Sequence, residues 1–327
     1  MSRQSVVVGV DGGSTKTRAV VVDRATGECI GEGRVVGSTN LYMHAHAADP
    51  PAAAAAVLAA VISAAMPSSD CDVVAACVGT AGIDAPHDRA RHSRAFDRAL
   101  GLGDALLVMS DVEVIEACGT GPLRVNTIAG TGSNTLGIRL EGGVAVAVQQ
   151  IGGLDLDLSD DGSAAWIGHH AFRAALRDLQ HQERSALGPA VAAWCGLREA
   201  REPLVWRAFR TKRQGMHKSR LAALTGEIVA PLADTDRVAR ELLERAGSVL
   251  ADNISAAARA VGGGDTLEVL RVGGVWRNPY VRARAAASLR EEWPRVTLID
   301  ADAAIGAARF ARRLADGQRD ARWPRID

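Results

Sequence analysis

Asp11, Gly12, Gly13, Ser14, Thr15, Lys16 and Thr17 stand between two runs rich in β-branched residues, Val6–Val10 and Ala19–Val22. Two such runs about a glycine pair read as the strands of a hairpin. The content of the turn suits phosphate. Gly12 and Gly13 let backbone N–H groups approach a ligand closely, Ser14, Thr15 and Thr17 add hydroxyl donors, and Lys16 adds a positive charge. Asp11, at the end of the first strand, has the chemistry to hold a hydrated Mg²⁺, a cation that prefers few carboxylates and several waters. An ordinary glycine-rich hairpin with solvated hydroxyls would use the same residues. A P-loop is excluded, because it needs G-x-x-x-x-G-K-[ST] between a strand and a helix, and here a second strand follows the lysine.

A second turn of similar chemistry lies downstream. Val125–Ile128 and Leu136–Leu140 read as strands around Gly130-Thr131-Gly132-Ser133-Asn134-Thr135, and Glu141-Gly142-Gly143 leads into a third strand, Val144–Val148. Two such hairpins facing each other would grip a triphosphate from both sides. Asp111 follows the short apolar run Ala105–Met109; it stands at a strand end and is also placed to cap a helix over Val112–Cys118. The stretch Gly152–Ser163 carries Asp155, Asp157, Asp160 and Asp161 ahead of a helix, Ala164–Leu179. Carboxylates and amides at a helix start suit a polyhydroxyl ligand, and they equally suit capping.

These turns need strands to hold them. The order strand, strand, strand, helix, strand, helix, strand runs to Met109 and then begins again, which predicts a mixed sheet with helices on both faces, twice. At 327 residues the chain is long enough for two such domains. Basic and acidic residues balance at 38 each, so no basic footprint for nucleic acid is present. The five cysteines, Cys29, Cys71, Cys77, Cys118 and Cys195, lie far apart without a C-x-x-C pair, which fits reduced thiols. The apolar stretch Pro51–Ala65 is too short to span a bilayer, and the chain enters a strand at once without a secretion signal. A cytoplasmic protein with no membrane or nucleic-acid partner is expected. The basic run Arg207–Arg213 reads as a solvated face.

DGGSTKT at Asp11, STN at Ser38, SD at Ser110, GTGSN at Gly130, GG…SDDGSAAWIG from Gly152, GGV…N at Gly273 and AAIGAA at Ala303 follow one another in order. Over almost its whole length the chain resembles the BadF/BadG/BcrA/BcrD ATPase family, and within it the N-acetylglucosamine and glucosamine kinases. The resemblance implies two ribonuclease H-like (actin-like ATPase) α/β domains with a cleft between them, residues 1–118 and 119–301, with a C-terminal helix at about 302–320 packing back on the first. It implies Asp111 as the catalytic base and, with Asp11, as a metal-site residue. It assigns Gly12, Gly13, Ser14, Thr15, Lys16, Thr131, Gly132 and Ser133 to the ATP phosphates, and Gly273, Gly274 and Asn278 to the border of the adenosine. Asn40, Tyr42, Asn134, Gly153, Leu154, Asp155 and Asp160 fall at sugar-binding positions.

The reaction so implied is transfer of a phosphoryl group from ATP, with Mg²⁺, to the C6 hydroxyl of an amino sugar. Many relatives read G-G-W-G where this chain has Gly152-Gly153-Leu154-Asp155. If that stretch is extended, alternation through Leu154, Leu156 and Leu158 puts Asp155 and Asp157 on one face, where they would suit the ammonium of glucosamine; the face would otherwise be solvent. Tyr42 and Asn134 fit an acetylated sugar, so both substrates stay open, as does a homodimer. The alternative classes are an ATPase activator, which in this family uses clustered cysteines, and a non-catalytic sugar or nucleotide sensor.

Overall fold

The computed structural model describes residues 3–181, 185–196 and 218–318. The basic run Arg207–Arg213 lies outside them. The chain divides into two compact units: the described residues up to Thr120 together with those from Ala301 onward, and Gly121–Asp300.

In the first unit β1 (Gln4–Gly12), β2 (Lys16–Asp23) and β3 (Cys29–Val36) form the meander expected from their β-branched runs. Helix α1 (Pro50–Ala65), β4 (Cys71–Thr80), α2 (Pro86–Leu100) and β5 (Leu106–Ser110) follow. The sheet order is β3-β2-β1-β4-β5. β1 runs antiparallel to β2 and parallel to β4, and β4 runs parallel to β5. One face buries Val6, Val8, Val10, Ala19 and Val21 against Leu58, Val61, Ile62 and Phe96 of the two helices. Strands covered in this way read as near-continuous apolar runs, which is why they are legible in the sequence.

The second unit repeats this connectivity. β6 (Leu123–Ala129), β7 (Ser133–Glu141) and β8 (Val144–Gly152) lead to α3 (Ala164–His181), α4 (Leu187–Trp194), α5 (Lys218–Leu224) and α6 (Arg237–Ala260). β9 (Leu267–Val272), α7 (Pro279–Glu292) and β10 (Val296–Asp300) complete it. The order β10-β9-β6-β7-β8 is that of the first sheet strand for strand. Its core gathers Leu123, Val125, Val269, Leu250 and Ile254 around Trp166 and Trp276. Among the described residues no helix is long and apolar enough to cross a membrane.

Two expectations change in detail. The helix over Val112–Cys118 is a single 3₁₀ turn, Val114–Cys118. The segment after Gly152 is not extended: it folds into a turn, described below.

The last helix, α8 (Ala303–Ala315), lies on the other face of the first sheet, with Ala304, Ala307, Ala308, Phe310 and Ala311 buried. The approach is close because both sides are small. A Cβ on Gly9 would lie 2.2 Å from both Ala304 O and Ala308 N. Those are backbone atoms, so no side chain can swing aside. Gly9→Ala should therefore lower stability by about 1–3 kcal/mol or more, read as the urea midpoint. The control Gly226→Ala, where nothing lies within 4 Å of the added carbon, should show no such loss. A wild-type midpoint for Gly9→Ala would refute this packing.

Candidate active site

The first turn is braced from below. Gly13 N–H donates to Lys16 O at 3.1 Å and closes it, Gly37 N–H donates to Thr15 O at 3.1 Å, and Thr17 Oγ1 donates to Gly37 O at 2.9 Å. Gly12 is buried, and a Cβ there would lie 1.8 Å from Thr39 Oγ1, whose hydroxyl pairs with Thr80 Oγ1 at 2.8 Å. Thr15 and Lys16 are left exposed and Ser14 half-buried. The turn is thus braced on one side, with Thr15 and Lys16 on the other open to solvent.

Strand register sets the carboxylates. Gly12 stands opposite Thr80, and Thr80 opposite Ser110, so the C-terminal ends of three parallel strands form one row. Asp11 precedes that row on β1 and Asp111 follows it after β5, where its N–H donates to Thr80 O at 3.2 Å. Asp111 does not cap the following turn. Glu113 stands at the cap position, takes Ser110 N–H at 2.8 Å and pairs with Arg89 at 2.9 Å. The Asp111 carboxyl instead accepts Ser110 Oγ at 3.3 Å and the Val112 amide.

Burial raises the Asp111 pKa to about 7, and the neighbouring Asp11 charge adds to the rise. Asp11 is raised to about 6, first by burial and then by Asp302, with Arg18 opposing. Arg18 faces Asp11 across β2 and holds Asp302 through Nη1 at 2.6 and 2.7 Å; it also grips Glu32 at 3.0 Å. Asp302 also accepts Ile305 N–H at 3.1 Å as the N-cap of α8. Among the described residues no group of three or more His, Cys, Asp or Glu side chains is arranged as a metal site. A pair of carboxylates in which the Asp11 charge raises the pKa of Asp111 matches what Mg²⁺ takes from a protein when water and phosphate supply the remaining ligands.

Asn40 and Tyr42 lie on one short loop. Asn40 Oδ1 accepts Tyr42 N–H at 2.9 Å, and Gly82, at φ +82°, leaves room for that amide. Helix α2 holds the loop by two groups that no motif announced. Leu41 N–H donates to His92 Nε2 at 3.2 Å, and Tyr42 OH donates to Asp88 Oδ1. With Nε2 accepting, His92 Nδ1–H donates to Asp88 O at 2.8 Å. Burial lowers the His92 pKa, consistent with a neutral ring.

In the second unit the turn Gly130–Gly132 closes with Gly130 N–H donating to Gly132 O at 2.9 Å. Its carbonyls meet the start of α3: Ala164 N–H donates to Gly130 O at 2.8 Å and Ala165 N–H to Thr131 O at 3.2 Å. Ser163 Oγ takes Trp166 N–H at 3.1 Å, so Ser163 and not Asp160 caps the helix. Those helix-start amides are therefore spent within the protein. Ser133 Oγ donates to Asp161 O at 2.8 Å. Gly273, at φ +116°, presses on the same turn; a Cβ there would lie 2.2 Å from Ala129 O. Gly274 has open space beside it, while Asn278 Oδ1 caps α7 by accepting Tyr280 and Val281 N–H at 3.0 and 3.3 Å.

The segment expected to be extended is a tight loop. Asp155 adopts φ +78°, and its carbonyl accepts N–H groups from Leu158, Ser159 and Asp160. Aspartate tolerates this conformation better than most residues. Asp155 and Asp157 therefore share no strand face. Leu154 and Leu158 stand in solvent, 55% and 77% exposed, while Leu156 packs on the core. Asp160, 2% exposed, forms an ion pair with Lys218 Nζ, which also reaches Asp155 Oδ1 at 2.9 Å. The loop brings Gly153 against the Asn134 amide, whose Oδ1 is buried without a hydrogen-bond partner among the described residues.

Two sheets of one connectivity, each opening on a hairpin with a glycine- and hydroxyl-rich turn, make up the two α/β domains of the actin-like ATPase fold. The model of the BadF/BadG/BcrA/BcrD ATPase family matches residues 8–311, and the chain belongs to that family. No curated protein matches it. Among solved structures it is similar to a provisionally assigned N-acetylglucosamine kinase from Chromobacterium violaceum, with 23% identity and a TM-score of 0.69 over 95% of this chain and 100% of that one. A second provisionally assigned N-acetylglucosamine kinase, from Porphyromonas gingivalis, shows 19% identity and a TM-score of 0.68 over 94% and 99%. The ROK hexokinase of Thermus thermophilus shows 17% identity and a TM-score of 0.50 over 95% and 97%. At these identities the likeness establishes the fold.

The raised carboxylates carry a test in the pH dependence of stability. A folded pKa above the unfolded value means that the native state binds more protons in between, so stability falls as pH rises from about 4 towards Asp111's value of about 7. Asp111→Asn, unfolded in urea with a chelator present, should be more stable than wild type by about 1–3 kcal/mol at pH 8 and by little at pH 4.5. An equal difference at both pH values would mean that the ionised Asp111 carboxylate is not penalised by burial and by Asp11 in the folded state.

Proposed function

We propose that the protein is an ATP-dependent sugar kinase that phosphorylates the C6 hydroxyl of N-acetylglucosamine or glucosamine. The observation that carries this reading is the placement of Asp11 and Asp111 at the C-terminal ends of β1 and β5, which flank β4, beside a turn that leaves Thr15 and Lys16 exposed. Family membership and the sugar kinases among the structural neighbours support it. Phosphoryl transfer passes through a loose transition state and asks the protein mostly for positioning and charge stabilisation.

In this reading Gly12, Gly13, Ser14, Thr15 and Lys16 in the first unit, and Thr131, Gly132 and Ser133 in the second, contact the phosphates. Gly273 and Gly274 offer bare backbone beside the adenosine. Asn278 has its Oδ1 committed to a helix cap and contributes through its remaining atoms. Asn40, Tyr42, Asn134, Gly153, Leu154, Asp155 and Asp160 serve the sugar. Asp11 and Asp111 would hold Mg²⁺, which when bound offsets the charge of the phosphates. Asp111 accepts the proton of the attacking hydroxyl, the work of a positioned carboxylate general base.

Wild-type protein should consume ATP in the presence of one of the two amino sugars and yield the 6-phosphate, identified by ³¹P NMR. Asp111→Asn should lower kcat by about 10²–10⁴-fold while leaving the Kd for ATP nearly unchanged. Retention of more than a few per cent of kcat would remove Asp111 from the role of base. ATP hydrolysis indifferent to any sugar would favour the activator reading over the kinase.

A further inference from the structure

Asp160 sits in the second unit with its side chain 3% exposed, and the cation against it is Lys218. The same ammonium reaches Asp155 at 2.9 Å, a residue whose side chain is 74% exposed and so largely screened by water. Burial works against the Lys218 charge, but the hydrogen bonds it donates to Asp160 and then Asp155 outweigh that and hold its pKa above the ordinary value. The pair lies directly beside the glycine turn: a Cβ on Gly132 would come within 2.8 Å of both Asp160 Oδ2 and Lys218 Nζ. Close by, Gly153 rests on the Asn134 amide, whose buried Oδ1 has no hydrogen-bond partner among the described residues.

A free 2-amino sugar carries an ammonium group at neutral pH, and a desolvated ammonium needs a charge-assisted carboxylate partner. Here a protein ammonium already holds that position, and bringing a second one alongside meets like-charge repulsion in a poorly solvated setting. A sugar bearing a neutral acylamino group meets no such repulsion, and its N–H can serve an unpartnered amide oxygen.

We propose that Lys218 determines which amino sugar the protein accepts, by occupying on Asp160 and Asp155 the seat that a substrate ammonium would need. The site then selects an N-acylated amino sugar over the free amine. The inference rests on the kinase reading and narrows its substrate class.

The experiment is kcat/KM for N-acetylglucosamine and glucosamine in wild type, Lys218→Met and Lys218→Arg. Wild type should prefer the acetylated sugar at least tenfold. Lys218→Met should shift the ratio tenfold or more towards glucosamine, chiefly through KM for glucosamine, and Lys218→Arg should keep the wild-type preference. A wild-type preference for glucosamine, or a ratio unchanged within twofold in Lys218→Met, would overturn the proposal and leave the kinase reading standing. Phosphorylation of neither sugar by wild type would remove both. Because loss of the ion pair can unfold the unit, the seat is also tested by thermal unfolding of Lys218→Ala with methylammonium chloride against sodium chloride at equal ionic strength. A saturable rise in Tm confined to the variant supports the seat, and its absence overturns it.

Discussion

Two carboxylates held near each other against their own repulsion are the constraint on which the first unit depends. Nothing local in Asp11 or Asp111 brings them together; the register of β1, β4 and β5 does, with Gly12, Thr80 and Ser110 in one row across the strand ends. Burial raises both pKa values, with the Asp302 charge adding to the rise at Asp11 and the Asp11 charge to that at Asp111, so the arrangement costs stability at neutral pH. Rigidity around the pair offsets that cost: β-branched strands, the Thr39–Thr80 hydroxyl pair and the Arg89–Glu113 bridge all limit how far the two groups can retreat. Strain held by a scaffold in this way is a feature of functional sites.

The second unit has the same connectivity and resolves its buried carboxylate differently. Asp160 is compensated by Lys218, and the amides at the start of α3 are spent on the glycine turn. Each unit thus carries a glycine turn beside a carboxylate, and in the second unit that carboxylate is held by a cation of the protein's own. The two units thus compensate a carboxylate beside the turn differently. The difference follows from residues outside the repeated strands, since the sheets themselves agree strand for strand.

The strands and both turns were legible because a buried parallel or mixed strand must be nearly all apolar, and because few turns combine paired glycines with so many hydroxyls. The loop Gly153–Asp160 was misleading for a physical reason. The alternation Leu154, Asp155, Leu156, Asp157, Leu158 has the period of a strand, yet one left-handed aspartate turns the chain and gathers three amides onto a single carbonyl. Asp88, His92 and Lys218 were not singled out at all. Each acts on a residue tens of positions away, and an arginine-rich helix or a lone lysine carries no local sign of such a partner. Asp160 was open between capping and ligand binding, and Ser163 settles the cap because its hydroxyl lies one residue before the helix.

The far end of the chain enters the first unit's chemistry through one residue. Asp302 caps α8, receives both short hydrogen bonds of Arg18 Nη1, and is the largest charge acting to raise Asp11. Arg18 acts in the opposite sense on Asp11 and is itself shared between Asp302 and Glu32. The charge state at the end of β1 is therefore set by β2, β3 and the start of α8 together. Gly9 fixes α8 on the sheet by backbone contact, so Asp302 cannot be displaced without opening that packing. An N-terminal fragment of this unit would lack the helix that covers one face of the sheet and carries Asp302 to Asp11.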